Sequence, residues 1–165
     1  AGILNRKNPA DAARIGRWAR NKGYDSRAVR NIEFRSLSAA ASKALSEGRF
    51  GEAINHVQAM DKALEVASYP DPGLHDSAAL QARRLDVLTR AHAAGAALKD
   101  GKPEQAFKEI EPVLGMADML DDGAHKAFQS LKSKIKDALL ARALAMNQQT
   151  QADAVAELNA MADRL

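Results

Sequence analysis

Six basic side chains crowd the start of this chain: Arg14, Arg17, Arg20 and Lys22, then Arg27 and Arg30 across a joint containing Gly23. Guanidinium groups bind phosphate oxygens through paired N–H donors, and each phosphate neutralised adds to the salt dependence of binding. Two short basic helical surfaces meeting at a tight turn could therefore track a phosphate backbone, with Trp18 and Tyr24 near enough to stack on a base. The charge is localised. Residues 1–49 carry 11 Lys/Arg against 4 Asp/Glu, whereas residues 50–165 carry 13 against 17. A basic head on a mildly acidic body fits an anionic partner, whether nucleic acid, phosphate or an acidic protein face. A solvated basic surface would look the same in sequence. Trp18 also has a structural reading, in which it packs on Ile32 and Phe34 and ties the first helix to the body; core packing is the expectation for it.

The other chemistry-bearing residues assemble no catalytic signature. His56, His75, His92 and His125 include no i, i+4 pair and no HExxH, the spacings that put two imidazoles on one helical face toward a metal. His56 with Asp61 offers a base and its orienter, but no nucleophile accompanies them. The chain has no cysteine, so disulfides, thiolate nucleophiles and zinc–cysteine sites are excluded. Asp121 and Asp122 are adjacent in a turn, where Asp is expected for capping. No GxGxxG, GxxxxGK[ST] or GxSxG occurs, so neither a phosphate-cradling loop nor a nucleophile elbow is present. A non-enzymatic chain without cofactor or metal is the expectation.

The elements that must position these residues are helical. About a fifth of the residues are alanine and 4% are aromatic, a composition with high helix propensity and small side chains that let helices approach closely. No period-2 alternation marks a strand. Asn8 as cap and Pro9 at the first turn predict a helix over 9–21, ended by Gly23. Asp25 or Ser26 caps a second helix to about Glu47, and a third runs over 51–68. Tyr69-Pro70-Asp71-Pro72-Gly73 breaks the chain. A long helix is then expected from Asp76 to Lys99. Another opens at Pro103 and runs to about Met116, with Pro112 able to shorten or kink it. The last two span 124–146 and about 150 to the end.

The chain also says one phrase twice. Residues 44–53, ALSEGRFGEA, return as ALKDGKPEQA at 97–106, with a fainter copy, ALAMNQQTQA, at 143–152. The turns fall at Gly48, Gly101 and Asn147, spaced 53 and then 46 residues; Gly and Asn are the residues that best accept a left-handed helix end. Repetition of this kind predicts three helical hairpins, at 25–69, 74–119 and 123–165, behind a basic leader and short helix at 1–24. The expectation is one all-α domain of about seven helices, an array of stacked antiparallel hairpins or a closed bundle.

Each joint resembles the inner turn of a tetratricopeptide repeat, in which a small-residue helix ends near a Gly, an aromatic or Pro follows, and an acidic or amide residue precedes an Ala. Gly48, Phe50 and Ala53 match in the first copy and Gly101, Pro103 and Ala106 in the second. The period is longer than the family's length of about 34 residues. Leu37, Ala40, Ala41 and Ala44 stand at the Trp-Leu-Gly-Tyr positions, and Pro70 roughly matches the closing Pro. The resemblance implies hairpin stacking and a surface for a protein or peptide partner, which makes an interaction or scaffolding module the leading expectation and a nucleic-acid-associated protein the alternative. No apolar run approaches the roughly 20 residues that span a bilayer, and no signal-peptide core is visible, so membrane insertion is not expected and a cytoplasmic location is.

Overall fold

The computed structural model describes residues 8–24, 26–65, 72–146 and 152–165. Among them every regular element is helical. In chain order these are α1 (Pro9–Asn21), α2 (Arg27–Ser46), α3 (Phe50–Glu65), α4 (Pro72–Lys99), α5 (Pro103–Ile110), a 3₁₀ segment (Glu111–Met119), α6 (Asp122–Ala145) and α7 (Ala152–Asp163). Their contacts divide the chain into two compact units, residues 1–89 and 90–165, with the division inside α4. None of these helices is long and apolar enough to cross a membrane.

In the first unit α1 packs on α2 and α2 on α3. The Asn8 side chain caps α1 by accepting from the Asp11 backbone N–H, and Ser26 caps α2 by accepting from that of Val29, each satisfying a donor that a helix start leaves open. Ala13, Phe34, Leu37, Met60, Leu64, Ala78 and Ala82 form one buried cluster drawn from all four helices of this unit. Helix α4 begins at Pro72, earlier than the Asp76 start expected from sequence. Proline suits the first helical turn because its φ is already helical and no N–H is needed there. Tyr69, Pro70 and Asp71 lie outside the described residues.

The repeated phrase describes a turn with a fixed wiring. Gly48 has φ of 71°, and the Gly48 and Arg49 N–H groups donate to the Leu45 and Ala44 carbonyls at 3.1 and 2.8 Å. Gly101 has φ of 70°, and the Gly101 and Lys102 N–H groups donate to the Leu98 and Ala97 carbonyls at 3.1 and 2.9 Å. This is the Schellman closure, which needs a left-handed residue at the glycine position. Ala44 and Ala97 are buried on one side of the turn, and Ala53 and Ala106 on the other. The two alanines of the phrase are therefore small because helices meet there. The same closure occurs at Gly23, with φ of 85° and with Gly23 and Tyr24 donating to Arg20 and Ala19. Asn147 lies outside the described residues; in its copy of the phrase Ala143 is buried but Ala152 is exposed, unlike Ala53 and Ala106.

In the second unit α5 stops at Ile110 and the chain tightens into the 3₁₀ segment, with Pro112 at its start. Pro112 has no N–H and its ring crowds the preceding turn, so an α-helix to Met116 does not form. Phe107, Ile110, Val113, Phe128, Ile135, Leu139 and Leu158 supply the buried apolar side chains. Arg142 of α6 pairs with Glu104 of α5 at 2.8 Å. Arg164 pairs with Glu111 and lies 5.2 Å from the Phe107 ring centre.

Among the described residues two buried hydroxyls, Ser36 Oγ in α2 and Thr89 Oγ1 in α4, have no hydrogen-bond partner. An unmet buried hydroxyl costs more than its removal, and alanine also has the higher helix propensity. Ser36→Ala should accordingly raise stability by about 1 kcal/mol, read as a higher urea midpoint; an unchanged or lower midpoint would mean that this hydroxyl is satisfied in solution.

Candidate functional site

The basic residues singled out in the sequence do not share one surface. Helix α1 buries Pro9, Ala12, Ala13 and Gly16, a stripe of small residues at helical spacing that lets the backbones of α1 and α2 come close. At Gly16 an added Cβ would stand 3.1 Å from Glu33 Cβ and 3.2 Å from Glu33 Cα. That stripe sets the rotation of α1. Arg20 continues it and turns inward, Arg17 lies at its edge, and Arg14 points to solvent beside Asp11 at 3.0 Å. Lys22 is exposed, and Arg30 is buried, 5% exposed, so it offers no solvent-facing contact. The Arg27 side chain lies outside the described residues.

Trp18 departs from the sequence expectation. It is 59% exposed rather than packed on Ile32 and Phe34. It lies opposite the small stripe, so the close α1–α2 contact turns it outward. Ile15 and Tyr24 are also exposed, at 49% and 68%. The outer side of α1 thus presents an aliphatic and an aromatic side chain between Arg14 and Lys22, with Tyr24 at its end.

The inward arginines converge on Glu33, the sole acidic residue of α2, which is 1% exposed. Arg20 Nε donates to Glu33 Oε2 at 3.1 Å and Arg20 Nη2 to Oε1 at 3.3 Å. Arg17 Nε donates to Oε1 at 3.5 Å. A carboxylate removed from water requires such charged donors. Composition and charge counts do not reveal this centre, but a single Glu four residues before Leu37, one helical turn away on the same stripe, is a signal for it.

Beside the ion pair a cleft of about 420 Å³ opens between α1 and α3 over α2. Arg17 and Arg20 form one wall and Glu33 the floor. Asn55, Gln58 and Lys62 of α3 form the opposite wall, with Ala59 and Ala63 between them. Among the lining residues two guanidiniums and an ammonium stand against one carboxylate, a surplus of two positive charges. Lys62 is exposed at the edge of the cleft.

His56, half-buried on α3 next to this wall, has its pKa lowered mainly by burial. Glu52 works against the shift, and the Arg49 and Arg17 charges add to it. An imidazole whose folded pKa lies below its unfolded value takes up its proton later in the native state, so stability is lost as pH falls through about 6.5 and below. His56→Gln is expected to flatten that acid-side loss in a pH series of urea midpoints; an identical slope in the variant would remove His56 from the account. At the first repeat turn Arg49 binds both Glu47 and Glu52, and its hydrogen bond holds the Glu47 carboxyl below the usual range.

Among the described residues no three His, Asp or Glu side chains converge as a metal site would require. Comparison of the chain with family profiles, with curated proteins and with solved structures yields no match.

Proposed function

We propose that this chain is a non-enzymatic interaction module whose helical hairpins, akin to tetratricopeptide repeats, carry a docking surface for a protein or peptide on the outer side of α1. The observation that carries this reading is the exposure of Trp18 beside Ile15, flanked by Arg14 and Lys22. Trp and Arg dominate interface hot spots because they combine large apolar area with polar handles. The side chains are held on a helix whose other face is fixed by close packing, so little ordering is needed on binding. Arg14 costs little to recruit, because its exposed pair with Asp11 contributes at most about 1 kcal/mol.

A second reading, contact with single-stranded nucleic acid, rests on the same exposed Trp18 and Tyr24, which could stack on bases while Arg14 and Lys22 meet phosphates. Trp18 is the only tryptophan of the chain, so position 18 serves both tests, by crosslinking for a protein and by fluorescence for a nucleic acid. A photo-crosslinking residue at position 18, used in the native cell, should give a discrete protein adduct, lost on Arg14→Glu with Ile15→Ser. Quenching of Trp18 by a single-stranded oligonucleotide, relieved by added salt, would favour the nucleic-acid reading instead. Neither adduct nor quenching would remove the outer side of α1 as a binding surface.

A further inference from the structure

The cleft between α1 and α3 is built differently from the outer side of α1 and stands or falls independently of it. We infer that it binds the phosphate group of a phosphate monoester. Three observations carry this. The first is charge. Arg17, Arg20 and Lys62 outnumber the Glu33 carboxylate by two positive charges, and a phosphate monoester near neutral pH carries close to two negative ones.

The second is donor supply. Glu33 takes Nε and one Nη donor from Arg20, and from Arg17 only Nε, at 3.5 Å. Both Nη groups of Arg17 and one of Arg20 are left over by that centre. The buried carboxylate therefore braces the two guanidiniums without using up their donors, and a braced fork loses little freedom when it grips phosphate oxygens. The third is the facing wall. Asn55 and Gln58 add neutral amide donors and Lys62 adds a flexible cation on the side opposite the arginines, so a group with three acceptor oxygens can be met from both walls. The backbone phosphate of a nucleic acid is a diester with one charge and two free oxygens, and it satisfies this set less well. The monoester could be a free small molecule or a phosphorylated side chain of a protein, and the recognising chemistry is the same.

The test is calorimetric titration of the whole chain at neutral pH and physiological salt, with inorganic phosphate, O-phosphoserine, a peptide centred on phosphoserine, and acetate. Phosphate and O-phosphoserine are expected to bind saturably and acetate not. Lys62→Gln should weaken phosphate binding roughly tenfold, the effect of one charge-assisted hydrogen bond. Lys62 takes no part in the Glu33 ion pair, so this variant keeps the fold that Arg20→Ala puts at risk. Lys134→Gln, at an exposed position of α6 outside the cleft, should leave binding unchanged. A peptide that binds at least tenfold tighter than O-phosphoserine assigns the source to a protein side chain, and equal affinities assign it to a small molecule; both outcomes support the site. Absence of saturable phosphate binding, affinity unaltered by Lys62→Gln, or acetate binding as tightly as phosphate overturns it.

Discussion

Replacing both Arg17 and Arg20 with alanine is expected to cost the first unit about 3 to 5 kcal/mol, because it strands a buried carboxylate. Glu33 is 1% exposed, and these arginines supply all three of its hydrogen bonds described above. Without them the charge keeps its desolvation cost and loses its compensation. Glu33→Gln should be milder, about 1 to 2 kcal/mol. The Arg17 and Arg20 side chains are 51% and 23% exposed and can turn to water, and the glutamine keeps the shape of the contact. Arg20→Ala alone should exceed Arg17→Ala, since Arg20 makes the two-pronged contact and Arg17 a single long one. Urea unfolding followed by the anisotropy of Trp18 reports on α1 directly. The order of the variants decides the matter: should Glu33→Gln prove costlier than the double arginine variant, the arginines and not the carboxylate would be the groups in need of a partner.

The elements of this fold were legible wherever a short-range signal specified them. Asn8 and Pro9 announce α1, whose observed bounds are Pro9–Asn21, and Ser26 announces α2. The Gly48 and Gly101 phrases encode a closure complete within six residues, so it can be read without tertiary information. The rotation of α1 was not legible in the same way. Apolarity favours Ala12, Ile15, Trp18 and Ala19 as the inward face, and a hydrophobic ranking puts Trp above Gly. The structure inverts that ranking, because close approach of two backbones rewards absence of a side chain and because Glu33 draws Arg20 inward. Both causes lie on α2, outside any window centred on α1. The candidate site changed for the same reason. The two basic helical surfaces expected to meet at Gly23 and track a phosphate backbone divide into Arg14 and Lys22 outside, Arg17 and Arg20 within the cleft, and Arg30 buried.

That rotation depends on Gly16, and Gly16→Leu should therefore have the second large effect. A Cβ at Gly16 already meets Glu33 backbone and Cβ atoms at 3.1 to 3.3 Å, and main-chain atoms cannot swing aside as a flexible side-chain tip can. Leucine adds three further carbons to that contact, so α1 must lift or turn, at a cost of about 3 kcal/mol or more. Gly16→Ala sets a smaller clash against a gain of about 1 kcal/mol in helix propensity, and should lie within about 1 kcal/mol of the parent. Gly95, in α4 and with no heavy atom within 4 Å of an added Cβ, should show the propensity gain alone, so Gly95→Ala stabilises where Gly16→Leu destabilises. The consequence for function follows from the geometry. Arg17 and Arg20 wall the cleft from the same helix that presents Trp18 outward, so displacing α1 moves both surfaces at once. Gly16→Leu is expected to abolish phosphate binding and the Trp18-centred adduct together, while Lys62→Gln weakens the first alone and Arg14→Glu with Ile15→Ser removes the second alone. If Gly16→Leu left phosphate affinity intact, the Glu33-braced arginines would not be what holds the anion.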